Sequence, residues 1–265
     1  MADLSLDSLT LTDTEPAELI RSAAAAGFDL VTLWVQAPPL YPKALLTPAK
    51  ETECLTALRD TSLRVPSLEV FDLASVSAVE SYRPALELGA RLGGQTALAI
   101  NYSNADRAET AATLARLAEV AAEYGLGVNL EPIAGGHTST LPEGEALIHA
   151  SGADVGILFD VWHTVRAGGS VADLAKIDMA RIRHVQINDG LLATPASIGL
   201  EAISERLYPG DGEFPLADYL RALPKGLPIG IEAPSVRRAQ AGVSAAAQAL
   251  EAMASLRRAL TEYSA

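Results

Sequence analysis

The sequence predicts a (β/α)8 barrel forming a single domain over residues 1–265, and three observations carry that reading. Strand-like apolar segments alternate with helical segments eight times, the pattern of a parallel sheet wrapped by helices. No Pro/Gly/Ser-rich linker divides the chain, and barrels commonly run to about 250 residues as one domain. The Gly-rich phosphate-binding turn of an open doubly wound sheet is absent, because Gly93-Gly94, Gly135-Gly136 and Gly168-Gly169 read as simple turns.

The first strand is expected near Leu4–Leu11, followed by a helix opened by Asp13-Thr14-Glu15-Pro16 and running to about Ala26. Strand two is Phe28–Val35, then comes a long loop with Pro38, Pro39 and Pro42, and a helix near Ala49–Asp60. Strand three is about Leu63–Phe71 with a helix near Val76–Leu92, and strand four is Gln95–Ile100 with a helix near Ala105–Tyr124. Strand five is Gly127–Glu131 with a helix near Glu143–Ala150, and strand six is Val155–Asp160 with a short helix near Val171–Ala175. Strand seven is Ile182–Ile187, followed by a long loop and a helix near Pro215–Ala222. Strand eight is Pro228–Glu232, and a final helix near Val243–Leu260 sets Val243, Ala247, Leu250, Met253, Leu256 and Leu260 on one stripe.

Composition bounds the function. Hydrophobic residues make up 49% and charged residues 20%, enough apolar material for a core. A formal net charge of −13 repels phosphate backbones and anionic membranes, so neither nucleic acid nor a membrane is expected as partner. No apolar run reaches the roughly 18–20 residues that span a bilayer, and Met1-Ala2-Asp3-Leu4 does not read as a signal peptide. The single cysteine, Cys54, reads as structural and fits a cytoplasmic location.

Barrel active sites sit at the C-terminal ends of the strands. There, three apolar strands each finish in a carboxylate: Val-Asn-Leu-Glu131, Ile-Leu-Phe-Asp160 and Ile-Gly-Ile-Glu232. Each acid alone could be a helix N-cap or a loop salt-bridge partner, but three at one height would repel one another unless a cation lies among them. Strand seven reads His184-Val-Gln186-Ile-Asn188. With Gln186 pointing into the barrel, alternation puts His184 one layer deeper, either as a satisfied core histidine or as a substrate contact. The same parity puts Asn129, Gly156, Leu158 and Gly230 below the acids, where the glycines suit a cavity or an unusually close packing layer. His163, in Asp160-Val-Trp-His163, lies past the strand end, where it could hold a substrate oxygen or shuttle a proton. Trp34, Glu69 and Asn101 sit near other strand ends and read equally as pocket lining or as ordinary packing.

In these residues the chain resembles the xylose isomerase-like superfamily, also called the sugar phosphate isomerase/epimerase or endonuclease IV-like family. The motifs are NLEP with Glu131, FDVWH with Asp160 and His163, HVQIND with Gln186 and GIEAP with Glu232. The resemblance implies that Glu131, Asp160, Gln186 and Glu232 hold one divalent metal and that Glu131 and Glu232 exchange the substrate proton. It makes His163 a substrate contact. Many members carry histidine at the third ligand, whereas some bacterial 3-dehydroshikimate dehydratases of the superfamily carry glutamine, as here. An all-oxygen ligand set favours Mn2+ or Mg2+ over Zn2+. Ketohexose epimerases carry an arginine shortly after strand seven, but Asp189-Gly-Leu-Leu-Ala-Thr-Pro has none. Arg206, on the long loop expected over the mouth, is either a ligand for a substrate carboxylate or phosphate, or a salt-bridge partner of Glu205, Asp211 or Glu213. Multi-metal endonuclease chemistry needs more histidines than the four here, none of which precedes His137.

The implied function is a metal-dependent isomerase or epimerase acting on a small sugar-like hydroxy-carbonyl compound through an enediolate. A metal-dependent lyase, either dehydroshikimate dehydratase-like or cleaving a keto-sugar derivative, is the alternative, and a non-catalytic binding subunit a third. The sequence leaves homo-oligomer formation open.

Overall fold

The computed structural model describes residues 2–36 and 40–263. The first quarter of the chain holds β1 (Leu4–Leu6), α1 (Pro16–Ala26), β2 (Leu30–Val31), β3 (Leu33–Trp34) and α2 (Glu51–Thr61). Then follow β4 (Val65–Asp72), α3 (Val76–Glu80), α4 (Arg83–Arg91), β5 (Gly94–Ile100) and α5 (Arg107–Glu123). The centre holds β6 (Gly127–Leu130), α6 (Leu141–Ser151), β7 (Val155–Asp160), α7 (Val161–Arg166) and β8 (Ile182–Ile187). The chain ends with α8 (Ile198–Ser204), α9 (Leu216–Ala222), β9 (Ile229–Ile231), α10 (Val236–Gln240) and α11 (Ala245–Tyr263).

All strand pairings are parallel, in the order β2-β1-β9-β8-β7-β6-β5-β4-β3. The two ends of that order, β2 and β3, are halves of one extended segment interrupted at Thr32. That segment bridges both neighbours: Val31 N–H donates to Arg64 O at 3.0 Å, and Thr32 N–H donates to Leu6 O at 3.3 Å. The sheet therefore closes as the eight-unit barrel that the sequence predicts. The apolar core lies between the outer face of the sheet and the helices. Phe159 of β7, for example, meets Tyr219 of α9 with ring centroids 5.6 Å apart. Among the described residues no helix is long and apolar enough to cross a membrane.

Several boundaries differ from the sequence expectation. β1 stops at Leu6, because Asp7, Ser8 and Thr10 turn the chain: Asp7 N–H still donates to Ile231 O, but Thr10 N–H returns to Asp7 O. The helix expected over Val76–Leu92 is two helices. Pro84 sits in the first turn of α4, where its missing N–H costs nothing, whereas inside a continuous helix it would break the ladder. The short helix expected at Val171–Ala175 is a 3-10 turn, Val171–Lys176, and α7 was not anticipated. On α11 Met253 and Leu256 of the expected stripe are buried and Leu260 packs against the core, but Leu250 is 54% exposed and the rest of the buried face is alanine, at Ala245, Ala249, Ala252 and Ala259. This face packs against α1. Pro38 and Pro39 lie outside the described residues, whereas Pro42 opens a 3-10 turn, Pro42–Ala44.

Candidate active site

The C-terminal ends of β6, β7, β8 and β9 bring Glu131, Asp160, Gln186 and Glu232 to the barrel mouth, all buried. Register explains their level. Asp160 pairs with Gln186, and Leu158 with His184 one layer down, because a register shift between Ile157 and Leu158 aligns the two strands. The expected glycines prove to be a close-packing layer. A Cβ at Gly156 would lie 2.3 Å from Asn129 Oδ1, and one at Gly230 would lie 2.3 Å from Asp7 Oδ2.

Asp160 is the most heavily bonded of the four. Its Oδ1 caps α7 by accepting the His163 N–H at 3.1 Å. Asn188 Nδ2 lies 3.1 Å from each of its oxygens. Its Oδ2 accepts from Arg206 Nη1 at 2.8 Å, and the same nitrogen donates to Glu232 Oε2 at 3.1 Å. The N-cap role that one acid at a strand end could have is thus real for Asp160 and coexists with its place in the mouth.

Arg206 is buried, not a free loop residue, and it pairs with Asp160 and Glu232 instead of Glu205, Asp211 or Glu213. Three features hold it there. Its Nε donates to Ala202 O at 2.8 Å, and its guanidinium lies 4.7 Å from the centre of the Trp162 ring. The loop itself is tied down by Asp189, whose carboxylate accepts the N–H groups of Gly190, Gly210, Gly212 and Phe214 at 2.8–3.0 Å. The mouth therefore has an arginine, although it comes from farther along the chain than the stretch just after β8.

His163 Nδ1 accepts the Ala134 N–H at 3.0 Å. Arg206 Nη2, which like a backbone N–H can only donate, approaches the other ring nitrogen, Nε2, at 3.1 Å, so both nitrogens face donors and a neutral ring accepts from one of them. Nε2 also lies 3.8 Å from Glu131 Oε1. Burial, and then the Arg206 charge, push the His163 pKa down to about 3, so the ring is neutral near pH 7. Burial raises the Glu131 carboxyl well above its usual range, and the charges of Glu232 and Asp160 add to this. Glu232 is also raised, chiefly by burial, although Arg206 opposes the shift. For Arg206, burial works against the charged form, but Asp160, Glu232 and Glu131 outweigh it.

The donor set fits a divalent cation. Glu131, Asp160 and His163 present ligand atoms within 4.8 Å of one another. Two buried oxygens, Glu131 Oε1 and Gln186 Oε1, have no hydrogen-bond partner among the described residues. Asp160 Oδ2 and Glu232 Oε2 are already bridged by one cationic nitrogen of Arg206. Of the two candidates for a neutral ligand, Gln186 has the free acceptor. His163 Nε2 faces Arg206 Nη2 at 3.1 Å.

His184 lies below this group, with Nε2 3.5 Å from Asp7 Oδ2. Sequence reasoning did not single out Asp7 or Asn188. Asp7 carries the same signal as the other acids, since it directly follows the apolar β1, but a strand drawn to Leu11 hides it. Asn188 shares the parity of His184 and Gln186, and its side chain bonds Asp160, the Glu232 carbonyl and the Trp162 N–H. Glu69 is buried, with Oε2 accepting from Ser8 Oγ at 2.5 Å. Trp34 donates to Gln36 O, and Asn101 Nδ2 donates to Thr138 Oγ1 on the loop that follows β6.

Comparison with known proteins agrees with this architecture. A stretch of 115 residues is 30% identical to an inosose isomerase of Halalkalibacterium halodurans, covering 42% of this chain and 39% of that one. Another of 120 residues is 32% identical to the rhizopine catabolism protein MocC of Rhizobium meliloti, covering 42% and 37%. The matches thus span about two fifths of each relative's own length. Among solved structures, the IOLI protein with a bound zinc atom superimposes with a TM-score of 0.82 at 17% identity, over 98% of this chain and 99% of that one. An L-ribulose 3-epimerase gives 0.73 at 20% identity, over 100% and 96%. The sequence model described as xylose isomerase-like TIM barrel matches residues 20–259, nearly the whole chain, and the protein belongs to that family.

Proposed function

We propose that the protein is a divalent-metal-dependent isomerase or epimerase of an uncharged polyhydroxy ketone or aldehyde, the inososes being the first candidates. The observation that carries the reading is the pair of buried glutamates, Glu131 and Glu232, which end strands separated by two others around the barrel. Burial and neighbouring acids raise the pKa of both in the metal-free site, as expected where carboxylates are gathered without a cation among them. Glu131, Asp160, Gln186 and Glu232 would hold the ion. An all-oxygen set of this kind favours Mn2+ or Mg2+. When bound, the metal polarises the substrate carbonyl and stabilises the charge of the enediolate.

One glutamate removes the proton from the carbon beside the carbonyl, and the other returns a proton. Return to the opposite face of the same carbon gives the epimer, and return to the neighbouring carbon gives the isomer. His163, its ring held by the Ala134 N–H on Nδ1 and standing beside Glu131, would contact a substrate oxygen. Charge balance favours a neutral substrate. Arg206 is the buried cation at the mouth, and two carboxylates already occupy it. With a divalent ion added, the three carboxylates Glu131, Asp160 and Glu232 are matched by that ion and Arg206, so a neutral substrate keeps the site balanced and an acidic or phosphorylated one would add an unmatched charge.

The test is exchange in D2O, with Mn2+ or Mg2+ and a panel of inososes and ketohexoses. Deuterium should enter at the carbon beside the carbonyl of the recovered substrate or product, and Glu232→Gln should abolish the exchange. An unsaturated product would instead establish the lyase reading. No turnover, together with no metal binding, would leave a binding protein.

A further inference from the structure

A glutamine can ligate a metal only through its oxygen, so its amide must be turned the right way. Gln186 Nε2 donates to Asp7 Oδ2 at 2.9 Å, leaving Gln186 Oε1 buried and without a partner among the described residues. An ionised carboxylate accepts and never donates. Rotating the amide by half a turn would set Oε1 against Oδ2, acceptor against acceptor. Asp7 thus selects one of the two amide orientations, the one that turns the oxygen away from Asp7 and leaves it free to ligate.

Asp7 is itself rigidly placed. It is fully buried, its Oδ1 accepts from Ser5 Oγ at 2.6 Å, and its backbone N–H donates to Ile231 O at 3.1 Å. Its carboxylate fills the space beside Gly230, where any Cβ would lie 2.3 Å from Oδ2. We infer that Asp7 is a positioning residue for the metal site: it aims the Gln186 carbonyl, and Gly230 makes room for it to do so. The inference rests on the proposed role of Gln186 as a metal ligand. Partners behind metal ligands commonly matter by about 10–100-fold in affinity.

The experiment is Mn2+ binding to the purified protein, by calorimetry and by the electron paramagnetic resonance of the free ion. Asp7→Asn keeps the shape but can donate as well as accept, so it no longer selects an amide orientation. It should weaken Mn2+ binding by about 10-fold or more. The same substitution in a Gln186→Glu background should cost no affinity, since a carboxylate presents oxygen whichever way it turns. A purely structural role for Asp7 would cost the same in both backgrounds, and that result overturns the inference, as does equal affinity of wild type and Asp7→Asn. Should Asp7→Asn fail to fold, Gly230→Ala displaces the same carboxylate and should weaken binding in the same direction, while unchanged affinity there overturns it. Absence of Mn2+ binding by the wild type would sink the metal site itself, a different pattern from wild-type binding that Asp7→Asn leaves intact.

Discussion

The barrel interior carries two groups of buried carboxylates, and they are neutralised in different ways. At the ends of β7 and β9, Asp160 and Glu232 share the guanidinium of Arg206. Near β1 and β4, Asp7 and Glu69 are held by neutral donors, namely the Ser5 and Ser8 hydroxyls and the Gln186 amide. A guanidinium is one cation and can be exchanged for another, whereas hydroxyls and amides fix a geometry without supplying charge. The first group is therefore suited to metal binding and chemistry and the second to holding side chains in place. The comparison breaks if both groups respond alike to removal of a charge. Glu232→Gln should lower kcat by about 10²–10⁴-fold, the usual worth of general acid–base catalysis, with an unchanged circular dichroism spectrum. Glu69→Gln should change kcat by less than about 10-fold, because a residue outside the proton transfer loses none of that catalysis. Equal losses would put Glu69 in the proton path and erase the distinction.

Arg206 gives the next largest effect. Replacing it by methionine keeps the stem against Trp162 but strands Asp160 and Glu232. Removing one partner of a buried ion pair costs about 3–5 kcal/mol, so urea denaturation in chelator should show a loss of that order. Mn2+ should restore most of it, since the ion supplies the charge that the variant lacks. Mn2+ should also bind the variant more tightly than the wild type, where the guanidinium competes for the same carboxylate oxygens. A variant as stable as wild type in chelator would mean that Arg206 is not what compensates the acids.

The same contrast explains what could be read from sequence. Asp160 and Glu232 each end an uninterrupted apolar run, and Glu131 ends one broken only by Asn129, so burial, level and charge are visible in the letters themselves. Gln186 follows from alternation along a strand whose bounds, Ile182–Ile187, match the expectation. Asp7 carries the same signal, but β1 is three residues long and the apolar letters continue to Leu11 through a turn, so periodicity misplaced its end. The partner of Arg206 was not legible, because the choice among nearby acids depends on how Asp189 gathers the loop. That closure joins residues far apart in sequence. The helix break between α3 and α4 was decided by local sterics, which hydrophobic patterning does not encode.

Glu69 offers the smallest and most specific test. Burial and the neighbouring Asp7 charge push its pKa from the ordinary 4.5 up to about 7, against the pull of the Ser8 and Thr32 hydroxyls and of His184. The folded protein therefore keeps this proton between about pH 4.5 and pH 7 while the unfolded chain has released it. Stability from this group is present below that window and is lost as pH rises through it. At about 1.4 kcal/mol per pKa unit the loss is on the order of 3–4 kcal/mol. Glu69→Gln, measured by urea denaturation in chelator from pH 5 to pH 8, should flatten that slope and gain on the wild type toward pH 8. The Glu69 charge also raises Glu131 and Glu232, so the difference between the two curves reports Glu69 together with its coupling to those two acids. Ser8→Ala sharpens the result further. The Ser8 hydroxyl donates to the charged carboxylate at 2.5 Å, so its removal favours the protonated form and should move the Glu69 midpoint upward from about 7. A downward movement would mean that the Ser8 hydroxyl accepts from the protonated carboxyl instead of donating to the charged one.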